Sequence, residues 1–281
     1  SATNPDGNNV VFGDYGYLSW IEPTYPGDAN PFGLDRVWSW FEGFGGSDTI
    51  TTGTRNDFVF GGIGDDVIDA GTGHNIVFGD HGRISGVEGK GPNRPTAGAF
   101  VLVDYPVEVL ALVEAYVPLS GANLVEFGGV DTIRTGTGAD IVFGGAAGDS
   151  IVVNVGESAT NPDGNNVVFG DYGYLNFIAG YNPSPISLDY VWTWFEGFGG
   201  NDTITTGGRH DMVFGGKGAD TITAGTGENI VFGDYGRVTG IESSVFNRPI
   251  PSPLPSVGYE ADDYAVAVLQ LVEGYVPTVG E

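Results

Sequence analysis

Short apolar triplets recur every nine residues along this chain, each preceded by a polar, glycine-rich stretch. From Gly43 the sequence reads GFGGSDTIT, TGTRNDFVF, GGIGDDVID and AGTGHNIVF, and then turns through GDHGRI. From Gly197 it reads GFGGNDTIT, TGGRHDMVF, GGKGADTIT, AGTGENIVF and GDYGRV, and a third run, EFGGVDTIR, TGTGADIVF and GGAAGDSIV, starts at Glu126. Position eight is β-branched (Ile50, Val59, Ile68, Val77), and position nine holds Phe12, Phe60, Phe78, Phe143, Phe169, Phe214 and Phe232. The residues around position eight predict a short strand with its β-branched side chain turned inward. The glycines before it supply turns with positive φ. Two such half-turns close one coil, and only stacked coils bury the continuous Ile/Val row, so stability must come from stacking.

A longer repeat contains the short one. SATNPDGNNVVFGDYGYL opens at Ser1 and again at Ser158; VWSWFEGFGGSDTITTG (Val37–Gly53) returns as VWTWFEGFGGNDTITTG (Val191–Gly207). The chain is thus two related copies, Ser1–Glu157 and Ser158–Glu281, the second lacking a block equivalent to Leu124–Val153. The ending Val279-Gly280-Glu281 matches Val155-Gly156-Glu157, which run into the second SATNPDG. We therefore expect a segment of a longer head-to-tail array, forming one continuous elongated body.

Each copy interrupts its coils twice, after a G-D-x-G turn, with insertions at about 17–42 and 83–125 and again at about 174–196 and 237–281. The alternation in YLSWI and VWSWF predicts an antiparallel arm, repeated as YLNFI and VWTWF. The second insertion predicts RISGV (Arg83–Val87) paired with Val107–Val117, whose valine content favours strand. Asp104 before Tyr105-Pro106 leaves a capped helix as the alternative there. Trp20, Trp38, Trp40, Trp192 and Trp194 all fall in the arms. They read first as packing residues and second as an aromatic surface for a partner.

GGIGDDVID (Gly61–Asp69) and GGKGADTIT (Gly215–Thr223) fit the nonapeptide G-G-x-G-x-D-x-U-x at every position. On these residues the sequence resembles the RTX (hemolysin-type) family of calcium-binding repeats. The resemblance implies an all-β fold, a calcium-stabilised parallel β-roll, here with inserted antiparallel hairpin arms. It also implies ions shared between successive loops through position-six carboxylates and loop carbonyls. Carried over residue by residue, the pairs are Asp48 with Asp66, Asp131 with Asp149, and Asp202 with Asp220 on one side. Asp57 with Asn75, Asp140, and Asp211 with Asn229 fall on the other, and Gly46, Gly64, Gly200 and Gly218 would turn carbonyls towards the metal. Calcium takes six to eight hard oxygens, which carboxylates and carbonyls supply. The sequence departs from the pattern at Arg55 and Arg209, which replace the fourth-position Gly, at the Asn residues, and in Gly144–Asp149, where a Gly falls late at Gly148.

Composition narrows the function. Thirty-six acidic residues against ten basic ones leave a net charge of −26, and there is no Cys among the 281 residues. That excludes disulfide frameworks, Cys-ligated zinc and a thiol nucleophile, and it disfavours nucleic acid, whose phosphates need a Lys/Arg surplus. No apolar run approaches the ~20 residues of a membrane helix, so membrane insertion is not expected. Acid pairs follow the nine-residue period rather than standing alone, and His74, His81 and His210 do not recur between copies, which makes them surface variants and argues against an enzyme. Thr54, Thr72, Thr137 and Thr226 resemble the ladders of ice-binding β-rolls, but an insertion breaks the row. The reading is a secreted or cell-surface structural or adhesive segment that folds on calcium outside the cell. A self-assembling filament or surface lattice, with neighbouring copies as partners, and a glycan-binding module are the alternatives.

Overall fold

The computed structural model describes residues 7–19, 36–40, 43–85, 112–120, 123–176, 190–195, 197–239 and 271–274. These build three stacked sheets and a two-stranded hairpin, Leu119–Ser120 with Asn123–Leu124, without a helix among them. The central sheet is parallel, in the order Val10–Phe12, Phe58–Phe60, Ile76–Phe78, Ile141–Phe143, Val167–Phe169, Met212–Phe214 and Ile230–Phe232. The second parallel sheet lies across the roll, in the order Thr49–Thr51, Val67–Asp69, Thr132–Arg134, Ser150–Val152, Thr203–Thr205 and Thr221–Thr223. Strands from the two long copies share both sheets, and the third nonapeptide run is spliced between them. Val67–Asp69 pairs with Thr132–Arg134, and Ser150–Val152 with Thr203–Thr205.

Alternation along each three-residue strand divides the side chains between two cores. The position-eight residues point into the roll, where Ile50, Ile68, Ile133, Ile151 and Ile204 meet Val59, Val77, Val142, Val168 and Val213. The residues on either side of those valines point the other way. Phe12, Phe60, Phe78, Phe143, Phe169, Phe214 and Phe232 stack in one column, with successive ring centroids 4.9, 4.7, 5.0, 4.9, 4.7 and 5.2 Å apart. The central sheet is therefore apolar on both faces, as a parallel sheet covered on both sides must be.

The third layer covers the Phe column. It is an eight-stranded antiparallel sheet, ordered Gly16–Ser19, Arg36–Ser39, Gly82–Ser85, Leu112–Ala115, Gly173–Asn176, Tyr190–Thr193, Gly236–Thr239 and Leu271–Gly274. The inserted arms do not stand apart as separate hairpins; Leu112–Ala115 of the first copy pairs with Gly173–Asn176 of the second. Val37, Ile84, Val113, Leu175, Val191 and Val238 close the second core against the Phe column. The described part of Val107–Val117 contains the expected strand at Leu112–Ala115, paired with Gly82–Ser85 as the sequence implied.

Candidate calcium turns

Stacking at a fixed strand spacing places the position-six side chains in two columns, one at each turn of the roll. In the first column, hydrogen bonds join Asp48, Asp66, Asp131, Asp149, Asp202 and Asp220 in that order. At each step the backbone N–H of one residue donates to Oδ1 of the next, at 2.7, 2.7, 2.8, 2.8 and 2.9 Å. The second column runs Asn9, Asp57, Asn75, Asp140, Asn166, Asp211 and Asn229 by the same kind of contact. All the paired position-six residues expected from the sequence come together in this way.

One carboxylate oxygen of each Asp after Asp48 thus accepts the N–H of the coil before it. The other is stranded. Oδ2 of Asp57, Asp66, Asp131, Asp140, Asp149, Asp202, Asp211 and Asp220 is buried without a hydrogen-bond partner. A buried carboxylate oxygen left unpaired costs on the order of 1–3 kcal/mol or more when charged. The electrostatics register the same problem. Burial first, then the charges of Asp48, Asp14 and Asp65, raise Asp66 to about 7. Asp131 is pushed up to about 8 and Asp202 to about 7, again chiefly by burial, with a neighbouring carboxylate adding to it. Asp149 rises well above the ordinary range for the same reasons.

A divalent cation removes the difficulty, and these residues fit one: the stranded oxygens are hard, anionic and repeated at every coil. Side chains alone do not complete a site, because among the described residues no three acidic or histidine side chains converge as a ready-made metal cluster. The remaining oxygens would be loop carbonyls. Gly64 and Gly218 take positive φ, +108° and +139°, which bends their loops back on the coil before. A Cβ at Gly64 would stand 2.7 Å from the Ser47 nitrogen, and one at Gly218 1.8 Å from the Gly200 carbonyl oxygen, so only glycine fits either place. Gly46 and Gly200 lie in the same column, and their N–H groups donate to Asp14 and Asp171. In the loop Gly144–Asp149, where the sequence lacks a fourth-position Gly, Ala147 itself takes a φ of +63°.

Asp14, Asp80 and Asp171, the aspartates of three of the four G-D-x-G turns, are site residues that sequence reasoning passed over. Each clamps two successive loops of the first column. Asp80 accepts from the N–H groups of Gly129 (3.1 Å) and Ala146 (2.5 Å). Asp14 accepts from Gly46 and Ile63, and Asp171 from Gly200 and Lys217. The signal was present: each G-D-x-G follows a central strand and precedes an antiparallel one, so its Asp sits where the two layers and the turn column meet.

The histidines are not surface variants. His81 and His210 are buried, and Nδ1 of His74 and of His210 accepts the N–H of Ala139 and Glu228 in the following coil, each at 2.8 Å. Position five is a second ladder of acceptors, which Asn56 and Asn165 also join. An imidazole serves there when neutral, and burial lowers the pKa of His74 accordingly.

The tryptophans lie on the antiparallel sheet, on the face turned away from the Phe column. Directly paired residues across its strands read Tyr17, Trp38, Arg83, Glu114, Tyr174, Trp192, Arg237 and Glu273, the same four types twice. Tyr17 stacks on Trp38 at 4.2 Å and Tyr174 on Trp192 at 4.8 Å, with Trp40 and Trp194 beside them and Arg83 paired to Glu114. Trp20 lies outside the described residues.

Comparison with known families bears on the same turns. The model of the RTX calcium-binding nonapeptide repeat matches in four copies, over residues 42–77, 127–157 and 196–231. The chain carries RTX calcium-binding nonapeptide repeats. These stretches contain every Asp of the first column and both complete G-G-x-G-x-D motifs. RTX repeats bind calcium and are structural rather than catalytic, so this is a calcium-binding repeat segment with an all-β, roll-type fold. Among curated proteins, none matches the sequence.

Proposed function

We propose that the RTX segment is a structural element of a large secreted or cell-surface protein, an extender or adhesin that folds when it meets external calcium. The stranded Oδ2 row of the first column carries this reading. Without a cation, stacking the coils gathers buried like charges; with one, every step gains a bridge. A ligand bound only by the folded state stabilises it by RT ln(1 + [L]/Kd), so the chain stays loose at low calcium and locks at high calcium. Asp48, Asp66, Asp131, Asp149, Asp202 and Asp220 would supply the carboxylates, with the loops of Gly46, Gly64, Gly200 and Gly218 supplying carbonyls.

A second reading, assembly with neighbouring copies, draws support from the outer aromatic face, where Tyr17, Trp40 and Trp194 stay 42%, 40% and 38% exposed. Glycan binding has less support, because Tyr17 and Trp38, like Tyr174 and Trp192, turn their ring faces to each other. Electron microscopy and light scattering in millimolar calcium separate the readings. Monodisperse particles of one chain support the extender, whereas fibres or sheets that vanish with Trp40→Ala and Trp194→Ala support assembly.

A further inference from the structure

The two turn columns differ at the atom that matters for a cation. In the first, each of the five steps brings two aspartates together. Asp66, Asp131, Asp149 and Asp202 are at most 2% exposed, and each keeps its Oδ2 unpaired. In the second, Asn and Asp alternate strictly, so no step joins two carboxylates.

At each Asn the place of the stranded oxygen is taken by an amide nitrogen. Asn75 Nδ2 donates to the carbonyls of Gly71 and Gly73, at 3.3 and 3.4 Å. Asn166 Nδ2 donates to the Gly164 carbonyl at 3.3 Å, to Asp163 Oδ2 at 3.0 Å and to Asp211 Oδ1 at 3.1 Å. Asn9 Nδ2 reaches the Gly7 carbonyl at 2.9 Å and Asp57 Oδ1 at 2.8 Å, and Asn229 Nδ2 the Gly225 carbonyl at 3.2 Å. These are loop carbonyls and carboxylates, the oxygens that a calcium ion would need. An N–H donor already satisfies them and presents a partial positive charge to any cation.

The loops agree. Those ending in Asp57, Asp140 and Asp211 open with Thr52, Thr135 and Thr206, while those ending in Asn75 and Asn229 open with Ala70 and Ala224. The Thr52 hydroxyl donates to the Ala70 carbonyl at 2.9 Å. Arg55 and Arg209, at the fourth position of two of these loops, take no positive φ. Asp57, Asp140 and Asp211 each keep one unpaired oxygen, but each has only Asn above and below it. Within the column one carboxylate per step supplies half the charge that the first column offers. Glu157 lies beside Asp211, and Asp163 lies beside Asp140 and Asp211, but both Asp163 oxygens are already taken, Oδ1 by the N–H of Gly138 and Oδ2 by Asn166.

We propose that the roll takes calcium along one side only: the aspartate column holds the ions, and side-chain amides close the asparagine column in their place. This rests on the calcium-binding reading and narrows it to a column. The test is calcium stoichiometry, by equilibrium dialysis with radioactive calcium, on the whole chain. The triple variant Asp57→Asn, Asp140→Asn, Asp211→Asn should bind as many ions as the parent. Asp131→Asn with Asp149→Asn should lose about two or more, the steps those residues share. The reciprocal variant Asn75→Asp with Asn166→Asp should gain ions, and it keeps the test open if the triple variant does not fold. Loss of ions in the folded triple variant, or no gain in the reciprocal one, overturns the one-sided assignment while leaving calcium binding intact. A parent chain that binds no calcium overturns the underlying reading instead.

Discussion

The backbone N–H of Asp66 donates to the carboxylate of Asp131 at 2.7 Å, although 65 residues separate them. That contact joins the first nonapeptide run to the third, across an insertion that leaves the roll to build the antiparallel layer. It makes the aspartate column continuous through the chain, so the coils of one long copy and those of the next share a single electrostatic problem.

The clamp at Asp80 should be indispensable. Replacing it with Ala strands the N–H groups of Gly129 and Ala146 beneath the antiparallel sheet. Each unpaired buried donor costs on the order of 1–3 kcal/mol. Urea unfolding of Asp80→Ala in saturating calcium should show a loss of about 3 kcal/mol. A loss within error of zero would mean that the clamp is incidental.

Ala147 should be improvable. A left-handed backbone costs a non-glycine residue roughly 1–2 kcal/mol, part of which glycine returns through its greater freedom when unfolded. Ala147→Gly is therefore expected to raise the melting temperature in calcium by a few degrees, corresponding to about 1 kcal/mol. A drop would show that the φ of +63° carries no strain.

The Phe column should be the most sensitive part of the core. Phe143 is fully buried between Phe78 and Phe169, at 5.0 and 4.9 Å. Phe143→Ala should cost about 3–5 kcal/mol from lost transfer energy and the cavity left behind. Phe143→Leu should recover much of that, as thermal denaturation of the pair will show.

Acid should partly replace calcium. Without metal, burial and neighbouring carboxylates raise Asp66 to about 7 and Asp131 to about 8, above the 3.8 of the exposed group. The folded chain then holds more protons than the unfolded one between those values, so metal-free stability falls as pH rises from about 4 to 8. Calcium needs the deprotonated form. The rise in melting temperature caused by calcium should grow from pH 5 to pH 8, and calorimetry in buffers of different ionisation heat should show protons released on binding. A calcium effect independent of pH would contradict the raised carboxylates.

Much of this was legible in the sequence because a nine-residue period is a local property. It located the strands, the inward valines, the position-six columns and the pairing of Arg83 with the strand containing Glu114. What could not be read was register over long separations. No local pattern says that Thr132–Arg134 lies beside Val67–Asp69, or that the arms merge into one sheet. Asp14, Asp80 and Asp171 stayed hidden for the same reason, since each looks like a turn residue until the loops it clamps are known. The histidines misled because their failure to recur was read as exposure, whereas at position five any of several side chains, Asn, Asp and His among them, accepts a backbone N–H.

The central claim is that calcium completes this fold, and far-ultraviolet circular dichroism through a calcium titration tests it most directly, with magnesium as the control. The account predicts a cooperative gain of β-structure with calcium and none with magnesium at the same concentration. A chain already fully folded at neutral pH in excess chelator would contradict it.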